Sequence, residues 1–475
     1  MDKALLRSRT ARTLTALTAL LLAATLTTAC SSKSSGPSGS GGSAVSGGLG
    51  GDDASPGVTA DSIKVGFLIS DIGKVAASLG FKQANYGGAE GQTKQIQAVV
   101  DYVNANGGLG GRKLVPVIKV YDGSQDSPEY AESFCNALTQ DDQVFAVVFE
   151  GQLQNNVRPC YASRKTIMID QGLLAKDQAE FERFSPYLWS ATFPEYGSFL
   201  KGQLQALQSQ NWFAGSKGVS VIALDGDVGR RQAAQTVIPF LASQGITNYK
   251  EFFIDTSNVG TLGAGSSTAL TGTKNAGLNR IIVVGGARIL PIAVTTPEAG
   301  DLDATTKWSI SSFDSTVFLQ DNPDSVVSST LQGMLGVGFI PAGDVGNNQL
   351  LPFPDPANPA QVLCKQIIDN AGATPPEGIR TNYKAGFQYC DGALFLKAVI
   401  AKAPKDLTAA KFRDAAWSLQ TTDYRSSLAF NGSFSTGRYA YDSTVRVLGW
   451  DNNCDNPTTK SKGCFVYQGG DLTLQ

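Results

Sequence analysis

The chain has 475 residues, 42% of them hydrophobic and 17% charged; this is a globular composition, too long for one compact core, and it points to two domains. Its 39 basic and 41 acidic residues nearly cancel, which argues against a nucleic-acid partner, since that needs a basic face. It has no histidine, so a Ser-His-Asp triad, a Cys-His pair and a His-ligated zinc site are all excluded, while carboxylate or lysine chemistry stays open.

Residues 1–30 read as a secretory signal. Lys3, Arg7, Arg9 and Arg12 form a positive start, and the apolar run 14–26 is too short to span a bilayer comfortably. Leu26-Thr27-Thr28-Ala29-Cys30 resembles a bacterial lipobox, with Thr27 where the pattern prefers an aliphatic residue. The resemblance implies a diacylated Cys30 as the mature N-terminus; an ordinary signal ending by chance at a cysteine is the alternative. Residues 31–56 are mostly Ser and Gly, too polar to fold, and read as a flexible leash. Six cysteines follow: Cys135, Cys160, Cys364, Cys390, Cys454 and Cys464. An even number in an exported chain suggests disulfides. Many pairings are open, and pairing between neighbours is the expectation.

The first buried strand is read at 63–69, followed by a loop at 70–73. Ile96, Val99, Val100 and Val103 then follow the i, i+3, i+4, i+7 spacing of a helix face. That helix ends in Asn106-Gly107-Gly108, where glycine supplies a left-handed residue. A strand at 114–122 carries Pro116, which places it at a sheet edge. A helix around 128–139 and a strand at 144–149 continue the alternation. The pattern restarts with a strand at 219–224, a helix at 231–243, and strands at 251–254 and 281–284. Strand–helix alternation means parallel α/β sheets, and ligands bind at the C-terminal ends of such strands. Two units facing each other make a cleft.

Five stretches carry a resemblance to a known family. They are Gly57-Val58-Thr59-Ala60-Asp61-Ser62-Ile63-Lys64-Val65-Gly66; Val103-Asn104-Ala105-Asn106-Gly107-Gly108-Leu109-Gly110-Gly111-Arg112-Lys113-Leu114, running on to Tyr121-Asp122; Trp189-Ser190-Ala191-Thr192-Phe193-Pro194-Glu195-Tyr196-Gly197; Asp225 through Val228-Gly229; and Tyr389-Cys390-Asp391-Gly392-Ala393. Together they resemble type I periplasmic-binding proteins of the branched-chain amino-acid type. The likeness runs over roughly 57–455 and thins between 320 and 380. It implies two Rossmann-like α/β lobes joined by a three-crossover hinge with the ligand cleft between them. Lobe 1 is then 57–193 and 314–438, and lobe 2 is 194–313 and 439–475. It also implies a disulfide between Cys135 and Cys160. The function implied is capture of a small molecule for an ABC transporter permease by a monomer held by lipid on the extracytoplasmic face of the membrane, with no cofactor or metal. A sensor for a membrane receptor is the alternative within the same fold.

Carried onto this chain, the family's ligand positions are Ser70, Asp71, Glu150, Gln152, Gln154, Asp170 and Gln171 in the first lobe. Tyr196 joins from the crossover, Asp225, Asp227 and Arg288 from the second lobe, and Phe313 and Asp314 from the next segment. Amino-acid binders place hydroxyls where Gln154 and Asp170 stand, and a carboxylate there repels a ligand carboxylate. The family's Tyr-Gly is Val228-Gly229, and no acid stands near Gly286. A donor-rich polar ligand is therefore expected over an aliphatic amino acid, despite the family's association with amino-acid transport. The competing reading of Glu150 and Asp170 is that they cap helix N-termini.

Three other motifs are weighed. Gly260-Thr261-Leu262-Gly263-Ala264-Gly265 lacks the order of a nucleotide loop. Ser198-Phe199-Leu200-Lys201 matches an acyl-enzyme SxxK without its companion motifs, and is read as part of a helix rather than a hydrolase site. Asn431-Gly432-Ser433 is an incidental glycosylation sequon.

Overall fold

The structure, a computed structural model, describes residues 55–71, 73, 76, 81, 86–151, 154–286, 289–326, 328–346 and 351–475. The signal segment, Cys30 and the leash up to residue 54 lie outside the described residues. No described helix is long and apolar enough to cross a membrane.

Two sheets organise the chain. The first contains β1 (Ser62–Asp71), β2 (Lys113–Asp122), β3 (Ala146–Phe149), β4 (Ile167–Asp170) and β5 (Leu188–Trp189), all parallel, in the order β2-β1-β3-β4-β5. A parallel sheet is covered on both faces, which the apolar run 65–69 of β1 allows: Ile63, Val65, Phe67 and Ile69 are fully buried on one face, and Leu68 is 3% exposed on the other. Pro116 sits on the edge strand β2, where a missing N–H costs little.

The helix Gly88–Ala105 lays Ile96, Val99, Val100 and Val103 into this core. Its chain reversal depends on Gly108, at φ 62°, where a Cβ would stand 2.1 Å from the Arg112 carbonyl oxygen. The helix read around 128–139 spans Pro128–Asn136, capped by the Ser127 hydroxyl, which accepts from the Tyr130 N–H at 3.1 Å.

The second sheet contains β6 (Val219–Leu224), β7 (Tyr249–Ile254), β8 (Arg280–Val284), β9 (Lys307–Ser311), β10 (Leu335–Gly338), β11 (Thr444–Asp455) and β12 (Lys462–Thr473). Their order is β12-β11-β10-β9-β8-β6-β7. β6 to β10 are parallel, and β11 and β12 form an antiparallel hairpin at one edge. The boundary read at residue 314 needs correction: β10 belongs to this sheet, so the chain returns to the first lobe only after residue 338. Glycines hide β10 in the sequence. A Cβ on Gly336 would stand 1.8 Å from the Ile310 carbonyl oxygen, so the close approach excludes the β-branched residues that mark a strand.

The helices Pro359–Asn370, Lys384–Lys402 and Ala409–Trp417 form the helical layer of the first lobe; the first two pack on the helix Gly88–Ala105, and the second also on β3. The disulfides join neighbours: Cys135–Cys160, Cys364–Cys390 and Cys454–Cys464, with Cα separations of 6.4, 6.0 and 5.6 Å.

Candidate functional site

The C-terminal ends of both sets of parallel strands face one gap. Along one side of it the lobes touch. Gln154 Nε2 donates to the Ser257 carbonyl at 3.1 Å, and the Ala175 N–H to the Gly285 carbonyl at 3.0 Å. Leu174 bridges to Gly286, whose φ of 106° and 2.0 Å clearance to the Leu173 carbonyl oxygen leave room only for glycine. Asp177 caps the helix Gln178–Arg183 and receives both Nε and Nη2 of Arg231 at 2.7 Å, with Gln232 Nε2 at 2.9 Å. Burial opposes the Asp177 charge, but these donors outweigh it and hold the carboxyl below its usual range. A cavity of about 40 Å³ remains among Gln154, Asn155, Ala175, Asp225, Val228 and Thr256. That is too small for an organic solute, so this side is shut.

Deeper between the lobes, Glu150 and Lys384 are buried with few partners, near an Asp344 that is already hydrogen-bonded. Glu150, at the end of β3, has no side-chain hydrogen bond among the described residues; burial pushes its carboxyl up to about 7, against the pull of the Lys384 ammonium. Lys384 opens the helix Lys384–Lys402, is 8% exposed, and makes no ion pair within 4 Å among the described residues. Burial lowers its pKa, while Asp344 and Glu150 act to raise it. Asp344, on the connection out of the second sheet, accepts from Ser312 Oγ and Tyr467 Oη at 2.5 Å and from Thr316 Oγ1 at 3.1 Å. Burial still raises its pKa. Gln388 Nε2 donates to the Gln171 carbonyl at 2.6 Å and to that of Glu150 at 3.3 Å. The side-chain oxygens Gln171 Oε1 and Gln388 Oε1 are buried without a donor. Tyr86 joins the group: burial and then the Glu150 charge raise its pKa.

The residues expected from sequence divide. Glu150 and Gln171 lie in this cluster. Gln154, Asp225 and Asp227 lie where the lobes touch: Asp225 pairs with Arg230 at 2.7 Å, and exposed Asp227 with Arg183 across the gap at 3.2 Å. Ser70 and Asp71 end β1 and are used locally; Ser70 Oγ donates to the Gly151 carbonyl at 2.6 Å, and Asp71 Oδ1 accepts from the Gly73 N–H at 3.0 Å. Gln152 and Arg288 lie outside the described residues.

Three expectations need correction. Asp170 is neither a helix cap nor an open charge. It is fully buried between Arg158 at 2.9 Å and Lys176 at 3.2 Å. Burial opposes its ionisation, but Lys176 and Arg158 outweigh that and depress its pKa. Tyr196 and Phe313 do not line open space. Both are buried in an aromatic cluster with Phe193, Phe199 and Phe339, and Tyr196 Oη accepts from the Gly285 N–H at 2.6 Å. Asp314 turns inward to the Ser311 hydroxyl at 2.6 Å, and burial pushes its carboxyl to about 7.

Lys384, Asp344 and Gln388 were missed because they lie more than 190 residues along the chain from Glu150, and no periodicity connects them. The SxxK pair is part of a helix: Ser198 sits in the first turn of Tyr196–Ser209, its N–H held by Glu195 at 2.7 Å, and Lys201 is exposed. Gly260–265 lies within the helix Val259–Asn275, not in a phosphate loop.

No protein-family model and no curated protein sequence matches the chain. Solved structures do. A solute-binding protein of an ABC transporter from R. palustris, in complex with 4-hydroxybenzoate, aligns at TM-score 0.61 and 16% identity, over 87% of this chain and 98% of that one. A possible leucine/isoleucine/valine-binding protein from Rhodopirellula baltica SH 1 aligns at 0.57 and 14%, over 86% and 96%. A fatty acid ABC transporter substrate-binding protein from Thermomonospora curvata aligns at 0.53 and 16%, over 89% and 95%. At these identities the likeness establishes the fold, two α/β lobes of the type I periplasmic-binding class.

Proposed function

We propose that this chain, built on the type I periplasmic-binding fold, is the extracytoplasmic solute-binding component of an ABC importer. The observation that carries this reading is the convergence of Glu150, Lys384 and Asp344 between two strand-end faces that touch along one side. Binding proteins of this fold close by rotating the lobes about their crossovers, and closure buries the ligand. Glu150 and Lys384, buried with few partners, need compensation from what enters. Glu150 with the oxygens of Gln171 and Gln388 asks for hydrogen-bond donors or a cation; Lys384 asks for an acceptor. The solute is therefore a small polar molecule carrying donors and at least one acceptor. The solute-binding proteins of similar fold, named for transporters and small organic ligands, support the importer reading.

Diacylated Cys30 and the 31–56 leash would hold the monomer at the outer face of the membrane, within reach of a permease. Mass spectrometry of small molecules released on denaturing the purified protein identifies the solute. Glu150→Gln should then weaken its binding at least tenfold, about 1.4 kcal/mol. Unchanged affinity, or chemical conversion of the solute during incubation, would reject the reading.

A further inference from the structure

A second cavity, of about 320 Å³, lies away from the strand ends, where the chain passes between the lobes. Its walls come from both. Asn358 caps the helix Pro359–Asn370 and Arg380 lies in the turn leading into Lys384–Lys402, both of the first lobe, while Arg446 and Asp471 belong to β11 and β12 of the second. Three guanidinium groups line it: Arg380, Arg425 and Arg446. Arg446 is satisfied, paired with Asp471 and stacked over the Phe430 ring at 4.2 Å.

The other two have no ion pair among the described residues. Arg380 is 1% exposed and lies over the Phe353 ring at 5.3 Å, yet among the described residues its one hydrogen bond is from Nη1 to the Leu351 carbonyl at 2.7 Å, and its Nε is buried without a partner. It has no carboxylate within 4 Å among the described residues. Asp355, on the cavity wall, acts on it only at longer range and has its own Oδ1 turned to the Ala357 N–H. Burial pulls Arg380 down to about 10, which leaves it cationic at neutral pH. Arg425 is half-buried, its Nε also lacks a partner, and it makes no ion pair among the described residues. A buried guanidinium with one hydrogen bond and no counter-charge is costly, and a planar fork of donors is shaped for oxygen pairs.

We propose that this cavity is a second binding site, for a small oxyanion carrying phosphate or carboxylate oxygens, held between Arg380 and Arg425. The volume admits more than a bare ion, so the charged group of a small organic acid or phosphorylated solute fits. An anion bound here touches walls from both lobes and so favours one hinge position over others. The site shares no residue with the cluster between the strand ends, so an anion can bind here without a solute there.

The test is calorimetric titration of the exported, detergent-extracted full chain with inorganic phosphate and, separately, with malonate, against sodium chloride at equal ionic strength. Saturable binding of either anion is expected, and the preferred one distinguishes a phosphoryl from a carboxylate ligand. Arg425→Gln should weaken it at least tenfold. Because Arg425 is half-buried and has no ion pair among the described residues, this variant should fold, whereas an Arg380 variant risks misfolding. Glu150→Gln should leave saturable binding in place. Three results would each overturn the proposal: no saturable binding of either anion, binding that survives Arg425→Gln, or binding that is lost in Glu150→Gln.

Discussion

Replacing Arg231 by Gln tests whether the lobes are latched as the geometry implies. Arg231 gives two hydrogen bonds of 2.7 Å to Asp177, with Arg231 at 27% and Asp177 at 2% side-chain exposure. Asp177 belongs to the first lobe and Arg231 to the second, so the pair must separate and hydrate when the lobes open. A hydrogen bond to a charged group is worth about 1.5–3 kcal/mol. Both bonds share one partly exposed guanidinium, so that range is taken once, not doubled. Asp177 keeps Gln232 and the Glu180 N–H in the variant, so its carboxylate is not orphaned. The closed-to-open ratio should fall roughly tenfold to a hundredfold. Small-angle scattering of the ligand-free variant should give a larger radius of gyration than wild type, and the released solute should bind more weakly by a similar factor. Asp177→Asn combined with Arg231→Gln should cost less than the sum of the two, because they remove one interaction. Scattering that superimposes on wild type, with affinity within twofold, would refute the latch.

Asp170→Asn should lower the melting temperature sharply, because it leaves Arg158 and Lys176 buried beside a neutral group; breaking such a pair costs about 3–5 kcal/mol. A melting temperature within a degree of wild type would contradict that account. Glu150 has a folded-state pKa of about 7 against an unfolded value of 4.5, so the folded state binds the extra proton and ligand-free stability falls as pH rises between these values. Glu150→Gln should therefore melt higher than wild type at pH 8, by on the order of 1–3 kcal/mol, and match it near pH 4; thermal melts across that range decide, and a constant offset counts against it. Replacing Cys364 and Cys390 together by Ser should cost about 3 kcal/mol in denaturant melts, since the bridge closes a loop of 26 residues. Cys30→Ser should move the protein from the membrane fraction to the soluble one, and an unchanged distribution would reject the lipid anchor.

The local grammar of the fold was legible. The β-branched run of β1, the helix face at Ile96, Val99, Val100 and Val103, the Gly107-Gly108 reversal and the edge proline all act through neighbours in sequence, and each falls in the structure where its pattern puts it. Strand β10 was hidden because close backbone approach demanded glycine in place of the β-branched signal.

The candidate site was half legible. Strand-end logic finds Glu150, since a parallel strand delivers its last residue to the cleft whatever the rest of the chain does. It could not tell Glu150 from Asp170, which ends the next strand in the same way. That difference is tertiary: Asp170 meets Arg158 and Lys176 from its own lobe, while Glu150 meets a lysine 234 residues later, without an ion-pair contact. Sequence alone determined the strands with an apolar, β-branched signal, such as β1, β3, β6 and β8, and which of their ends face a cleft. Only the tertiary structure decided which of the buried charges are already neutralised, because pairing over such separations depends on how the lobes pack and not on any local pattern.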